Sequence, residues 1–506
     1  MSTANRVIKN TSFLYAKMGI TMFISLYTTR LILNALGASD FGIFNIVGGA
    51  IAMLGFLNAA MAGATQRFMS FSEGEGDKEK QTKIFNISFI LHFGIAIAMG
   101  IVLLIVGWFF FNGILNIAPE RMYAAKVVYG SLIVSTIFTV MTVPYDAVLN
   151  AHENMFYYSI VGIVESLLKL GAALAVMNMV GDKLVLYGIL MACIPLITMT
   201  IMRIYCHKCY TECIIAPKRY WDKSLMKEMT GFAGWSLIGS SSGILYGYGT
   251  NIVLNNFFGP ILNAANGVCG QLNGQLLSFT NNMMKAVNPI IVKAEGSGNR
   301  EYMYKATFAA CKLSVLIYSF FAIPFLVESS FILKLWLKNV PPFTEIFFQL
   351  MILQVLIEQI SIPLGTAIAA TGKIKQFNII NSSVLYLSIF VLYFLYKMGL
   401  PPQTLRVLAI VVALIQTIYK VAFCSKYSQM PLMSYLTEVV LRCTVVVVIS
   451  FLLALLLKQT MPQGLIRFLA VTGLSVVTFI VLFYLVALRK EEKIMVQNMI
   501  KGKLKV

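Results

Sequence analysis

The chain has 506 residues, 58% of them hydrophobic and only 12% charged, and its mean hydropathy is +0.79. A soluble domain carries about 25% charged residues, so this chain cannot cover itself with a solvated surface. A formal charge of +19 would suggest nucleic acid in a soluble protein, but most of the Lys and Arg fall in loops on one side of a series of apolar stretches. That asymmetry is the positive-inside rule, which makes the partner a lipid bilayer and excludes nucleic acid.

Read in chain order, the stretches predict fourteen helices, near 11–35, 41–70, 84–111, 122–149, 156–178, 183–206, 231–257, 261–290, 305–328, 343–370, 377–398, 403–425, 436–458 and 463–489. Each is long enough to cross a hydrocarbon core of about 30 Å. The fold class is therefore all-α, a polytopic membrane protein with both termini cytoplasmic. The first stretch contains Lys17 and Arg30 and lacks a small-residue cleavage site, so it stays as a helix. Short outer connections such as GASD, GDK, FFGP and MPQG alternate with charged inner loops at 72–83, 207–230 and 291–304. The basic end of the chain, with Lys490, Lys493, Lys501, Lys503 and Lys505, should sit against anionic lipid.

One stretch occurs twice. TTRLILNALGASDFGIFNIVGG at 28–49 is echoed by GTNIVLNNFFGPILNAANGVCG at 249–270. Thr29, Arg30, Leu33 and Asn34 fall on Thr250, Asn251, Leu254 and Asn255; a one-residue slip then puts Gly37 on Gly259 and Gly48 on Gly270. The alignment runs on to SEGEGDK at 72–78, facing AEGSGNR at 294–300. A unit duplicated in the same orientation would explain this echo, with chance similarity between two apolar helix pairs as the alternative. The expected division is a lobe of six helices over 1–230, a second over 231–427, and two further helices with a basic cytoplasmic tail over 428–506.

The seventh and eighth expected helices are weakly apolar. Lipid-facing amides cost too much, so their polar face must look into protein or a wet cavity. Gln271, Gln275, Ser278, Asn282 and Lys285 follow helical spacing and form one stripe, with Asn266 on the same helix. Lys17, Thr21, Ser25 and Thr28 form a similar stripe on the first helix. Polar contacts between packed helices are the alternative use of such stripes. Arg and Lys within a span cost about 2.5–3.5 kcal/mol on insertion scales, so Lys17, Arg30, Arg67 and Lys285 need a reason to be there. A cationic lumen for a diphosphate is one; positive-inside anchoring of Arg67 and Lys285 and outward snorkelling of Arg30 are the others.

Glu165 with Lys169, and Glu438 with Arg442, have the i, i+4 spacing of internal ion pairs. Asp146 and Glu358 have no partner at local spacing and are candidates for H+ or Na+ coupling, or for an interface or a distant partner. His92 reads as a packed histidine. None of the eight cysteines falls in an expected outer loop, so no disulfide framework is implied. CHKCYTEC at 206–213 has a C-x-x-C spacing but only one half of a zinc site, and reduced thiols fit it better. Neither a nucleotide-binding motif nor a catalytic dyad occurs, so the chain reads as no enzyme and needs no cofactor.

Fourteen helices as two repeats plus two, together with NTSFLYAKMGITMFISLYTTRLILNALGASDFGIFNIVGG at 10–49, resemble the polysaccharide transporter, or Wzx-type, flippases. That family belongs to the superfamily of multidrug, oligosaccharidyl-lipid and polysaccharide exporters. The resemblance implies a V-shaped pair of lobes around a cavity lined mainly by the first, second, seventh and eighth helices. It also implies an undecaprenyl-diphosphate-linked oligosaccharide, carried by alternating access from the cytoplasmic to the periplasmic leaflet of the bacterial inner membrane. This serves O-antigen or capsule assembly, alongside other polysaccharide-assembly proteins. The amides would meet sugar hydroxyls, and Trp235, Tyr246 and Tyr248 offer ring faces. The alternatives are a lipid II flippase, a cation-coupled multidrug exporter or, less in keeping with the short outer loops, a membrane glycan polymerase or ligase.

Overall fold

A computed structural model describes residues 3–52, 55–114, 119–337, 340–489 and 492–493, apart from certain side chains within the helices. In chain order the α-helices are α1 Thr3–Ala52, α2 Gly55–Glu75, α3 Lys78–Phe109, α4 Met122–Ala151, α5 Met155–Asn178, α6 Lys183–Cys209 and α7 Lys223–Gly296. They continue as α8 Arg300–Val327, α9 Ser329–Leu337, α10 Thr344–Ala370, α11 Ile374–Lys397, α12 Thr404–Ser428, α13 Leu432–Tyr435, α14 Arg442–Thr460 and α15 Leu465–Leu482. No strand occurs among the described residues. The expected spans fall on helix, except that residues 53–54 of the second lie outside the described residues. Among the described residues ten segments are long and apolar enough to cross a membrane; the spans expected in α1, α2 and α7 are not among them.

Helices form because, within a single segment, only a helix satisfies its own backbone in hydrocarbon. Their aqueous ends are fixed by side-chain caps. Asp77 accepts from the Lys80 amide at 2.9 Å, Asn154 from Tyr157 at 3.2 Å, Asp182 from Leu184 at 3.1 Å and Asp222 from Leu225 at 3.0 Å. Two helices bend where the sequence echo aligns a glycine. Gly37 in α1 has φ 75° and ψ 169°, and Gly259 in α7 has φ 78° and ψ −178°. That region is open to glycine and essentially closed to other residues. The aligned glycines thus share one backbone conformation, which the rest of each helix does not have.

The chain forms two compact units, one of residues 1–240 with 292–299 and one of residues 241–291 with 300–506. In the first, α4 packs along α6 and α3, and α1 packs along α5. Ile43, Val47, Leu103, Val128 and Tyr129 form one of its apolar clusters. Arg121 ties one end together by bridging Asp40 of α1 and Asp182, the cap of α6, the latter at 2.8 Å. In the second unit α10 lies against both α8 and α12.

The last two spans are fastened to the second unit by an apolar seam and by ions. Ile323 and Val327 of α8 pack with Val446, Ala454, Val471 and Phe479. Arg467 donates to the buried Glu328 at 2.9 Å, and Lys312 reaches Glu492 at 2.5 Å. Lys493 donates to the Leu485 carbonyl at 2.8 Å, while Lys490, Lys501, Lys503 and Lys505 lie outside the described residues. One expected pair is corrected here. Glu438 pairs with Arg489 rather than Arg442, because residues 436–441 wind as a π-turn that shifts the i, i+4 register. The other expected pair forms, with Lys169 at 2.6 Å from Glu165.

The charged end of the first unit is held by a network around His152, in the turn between α4 and α5. Its ring stacks on Tyr210 with centroids 4.3 Å apart. One ring nitrogen meets the buried Glu212, and the other lies 3.4 Å from Glu73 at the end of α2. Lys78 and Gln81 of α3 also donate to Glu73, at 3.0 and 2.9 Å. Next door the buried Glu153 accepts from Lys293 of α7 at 2.9 Å and pairs with Arg6 of α1 at 3.0 Å. Burial opposes the charge of Glu73, but hydrogen bonds from His152 and Lys78 outweigh it and hold the carboxyl at about 2. Glu212 is likewise lowered, its burial outweighed by the bond from His152. His152 is raised, burial being outweighed by Glu212 and Glu73.

Beside this network α2 and α7 cross backbone to backbone. A methyl added to Gly74 would be driven into the Lys293 carbonyl, and one added to Gly296 into the Phe71 carbonyl. Gly74 and Gly296 occupy the same place in SEGEGDK and AEGSGNR, so the contact is reciprocal.

Two outcomes follow for stability. Gly74→Ala and Gly296→Ala should each destabilise the first unit by about 1–3 kcal/mol through overpacking, read as a lowered thermal midpoint of the purified protein. Gly63→Ala, with open space around it, should not. The His152 network should be most stable between about pH 4.5 and 6.5, the ordinary values of its Glu and His groups. The raised His152 stabilises below its ordinary pKa, and that stability fades as pH rises through its folded value. The lowered Glu73 and Glu212 stabilise above theirs, and that is lost as pH falls, for Glu73 toward 2. His152→Gln should flatten the alkaline limb of a melting-temperature profile; an unchanged profile would remove the network from the account.

Candidate functional site

The residues of the amide stripe lie on the second arm of α7, residues 260–296. Within the second unit Gln271 and Gln275 are exposed, while Ser278, Asn282 and Lys285 are half-buried. Ser278 donates to the Gly274 carbonyl and Asn282 to the Ser278 carbonyl, both at 2.9 Å. These bonds run along the helix and orient side chains without ending the stripe. Between Glu228 and Glu295 α7 has no Asp or Glu at all.

Asn266 has a different setting. It is buried, donates to Asn251 Oδ1 at 2.7 Å, and accepts from Arg406 of α12. Asn251 lies before Gly259 and Asn266 after it, so this chain of polar groups bridges the two arms of the bent helix. Asn273 is also buried and accepts from Tyr318 of α8 at 2.7 Å. Tyr246 is half-buried within electrostatic reach of Arg406, while Tyr248 is exposed.

Glu358 of α10 closes the cluster. It accepts from Gln354 at 2.9 Å, and both Lys420 and Arg406 act on it electrostatically. Sequence reasoning left this carboxylate without a local partner because its cations are on α12. Arg406 and Lys420 went unrecognised as functional, although a spacing of fourteen puts them on one helix face and was a usable signal. The membrane-embedded cluster carries two cations and one carboxylate. It is held by the bent α7, α10 and α12 together.

In the first unit Lys17 stands half-buried where α1 packs on α5. Its ammonium lies 4.3 Å from the centre of the Tyr158 ring, and a methyl on Gly162 would collide with its chain. Glycine at 162 is therefore what admits the lysine. Asp146 acts electrostatically on the same tyrosine, so Lys17, Tyr158 and Asp146 form one polar set. Arg67 of α2 lies over three rings, 4.5 Å from Phe68, 5.0 Å from Phe71 and 5.2 Å from Phe232. Glu228, Glu75 and Glu295 act on it electrostatically, so it is an embedded and compensated cation. Trp235 is half-buried in this unit. The Arg30 side chain lies outside the described residues.

His92 is buried and bonded to the Ser88 carbonyl at 2.8 Å. In the CHKCYTEC segment Cys206 and Cys213 are buried, and His207 lies 3.3 Å from the Tyr145 hydroxyl. Among the described residues no group of His, Cys, Asp and Glu is placed to hold a metal.

No protein-family model matches the sequence, and no curated protein matches it either. Solved structures do match. One, described as the outward-facing conformation of a multidrug resistance MATE family transporter of the MOP superfamily, has a TM-score of 0.72 at 13% identity, covering 85% of this chain and 96% of its own. A MATE protein in a bent conformation gives 0.73 at 14% identity, with 85% and 95% covered. A MOP superfamily transporter from Pyrococcus furiosus Vc1 (DSM3638), described by a binding pocket of reverse polarity that suggests a different function, gives 0.68 at 14% identity over 85% and 96%. This chain has the all-helical, two-lobed fold of the MATE transporters of the MOP superfamily.

Proposed function

We propose that the chain is a transporter working by alternating access, and that its cargo is an undecaprenyl-diphosphate-linked oligosaccharide. The cargo passes from the cytoplasmic to the periplasmic leaflet of a bacterial inner membrane, for O-antigen or capsule assembly. The observation that carries this reading is the stripe of α7: amides, a hydroxyl and Lys285 on an accessible helix face whose helix has no carboxylate over its spans. Gln271, Gln275, Ser278 and Asn282 suit sugar hydroxyls, with Trp235, Tyr246 and Tyr248 as ring faces. Lys285, with Lys17, Arg30 and Arg67, suits a diphosphate.

A second reading is favoured by the comparisons. Multidrug export fits the descriptions of the similar structures better than glycan transport does. A cationic drug, however, needs a negative partner. Glu358 already faces Lys420 and Arg406, which makes it a counter-ion to them in preference to a cation site. Asp146, beside Lys17 and Tyr158, is the better candidate for H+ or Na+ coupling.

Lys17→Gln, Lys285→Gln and the double change Gln271→Ala/Gln275→Ala should each cut surface-glycan export at least about tenfold, the cost of one lost charge-assisted contact or two neutral ones. Membrane abundance should stay unchanged. Export is read by complementation of a strain lacking its own glycan flippase. The same variants are scored for drug resistance in an exporter-deficient strain. Drug resistance lost with these substitutions, and glycan export retained, would replace the first reading by the second.

A further inference from the structure

A cavity of about 480 Å³ opens where α9 meets the start of α10 in the second unit, walled by Ser330, Lys334, Pro341, Phe343, Glu345 and Gln349 among others. We propose that it is a carbohydrate-binding pocket on the outer face of the protein. The charged 291–304 loop precedes α8, so the positive-inside rule puts the far end of that helix, and α9 and this cavity with it, outside. The pocket is separate from the stripe of α7, and its binding does not depend on what the chain transports.

The polar wall is built around one buried hydroxyl. Ser329 is fully buried, donates to Glu345 Oε1 at 3.0 Å and accepts from the Gln349 amide at 2.8 Å. It thereby fixes two side chains that are neighbours one turn apart on α10. Their remaining atoms stay open. Among the described residues Glu345 Oε2, the Gln349 carbonyl oxygen, the Ser330 hydroxyl and the Lys334 ammonium make no hydrogen bond or ion pair. Polar groups already held in place lower the cost of binding. Phe343 is a second, independent observation. It precedes α10 with φ 64° and ψ −4°, a left-handed conformation that a bulky residue rarely adopts. Such strain persists where a side chain is needed at that place. The Phe343 ring lines the cavity and stays 42% exposed, with its centroid 6.2 Å from that of Phe347.

The kinds of group on the wall select the occupant. Lys334 and Glu345 are not paired with each other, so the pocket holds one charge of each sign apart. A ligand of net charge would gain at one and lose at the other. A sugar hydroxyl both donates and accepts, so it can serve carboxylate, amide, hydroxyl and ammonium alike. The Phe343 ring offers an apolar face to the C–H side of a pyranose. A zwitterionic headgroup would use the two charges but leave the amide, the hydroxyl and the ring idle.

The test is titration of free glucose, galactose and N-acetylglucosamine against the purified full chain, followed by saturation-transfer NMR in a detergent without a sugar headgroup. At least one of the three should bind saturably. Glu345→Gln, which keeps the shape of the side chain, should weaken that binding at least about tenfold, the worth of one charge-assisted hydrogen bond. Phe343→Gly should weaken it by a similar factor without lowering the thermal midpoint, because glycine accepts this φ without strain. Gln271→Ala/Gln275→Ala, on the stripe of α7, should leave it unchanged. Binding of none of the three sugars, or binding that survives Glu345→Gln or Phe343→Gly, would overturn the proposal. Binding lost with the stripe variant and kept in Glu345→Gln would overturn it while leaving the reading of the stripe standing. Tighter binding of phosphoethanolamine than of any of the sugars would overturn it too, by showing a headgroup site.

Discussion

Hydrocarbon offers no hydrogen bonds to a backbone, so a chain passing from one span to the next turns best where a residue can bend without exposing amides. Gly37 and Gly259, in the short connections GASD and FFGP, are such residues. Each sits at φ near 75° with ψ near 180°, a region that side chains close. One polar cluster of the second unit is arranged about the bend at Gly259. Asn251 lies on one arm and Asn266 on the other, and Arg406 reaches Asn266 from α12. Straightening α7 would pull these partners apart and leave a buried guanidinium without its amide, a costly state in low dielectric. The bend and the buried cation therefore support each other.

Local features were legible in the sequence because their causes are local. Apolar stretches gave the helices, ten of them long and apolar enough to cross a membrane among the described residues, and helical spacing gave the Glu165–Lys169 pair. The echo of Gly37 in Gly259 appeared in the backbone as matching dihedral angles. The same echo aligns Gly74 with Gly296, although nothing in the letters said that they would touch. What sequence reasoning missed depends on partners far apart in the chain. Arg121 meets Asp40 and Asp182, Lys293 meets Glu153, and Glu358 meets the field of two cations on α12. Spacing arguments reach only along one helix, so groups partnered from another helix look unpartnered. Glu438 shows the opposite failure. Its i, i+4 neighbour was the right kind of residue, but a π-turn moved it away and Arg489 took its place.

The polar residues of α7 divide by depth of burial, which hydropathy does not report. Asn266 and Asn273 are consumed by the interior, one held by Arg406 and the other by Tyr318. Gln271 and Gln275 remain exposed on the same helix. Both uses meet the same demand, that an amide in a membrane have company. Substitutions should separate them: changing the buried pair disturbs packing, whereas changing the exposed pair reaches whatever the helix presents itself to.

Charge balance in the second unit carries the argument one step further. Its described carboxylates all have polar partners. Glu301 pairs with Lys305, Glu328 with Arg467, Glu438 with Arg489 and Glu492 with Lys312. Glu345 accepts from Ser329 and Glu358 from Gln354. Binding a coupling cation at any of these would first have to displace an internal partner, at a cost of several kcal/mol for a buried pair. Lysine and arginine outnumber these carboxylates in the unit, Lys285 on the stripe included, and a phosphate-bearing cargo of the kind proposed would meet that excess beside amides and a hydroxyl.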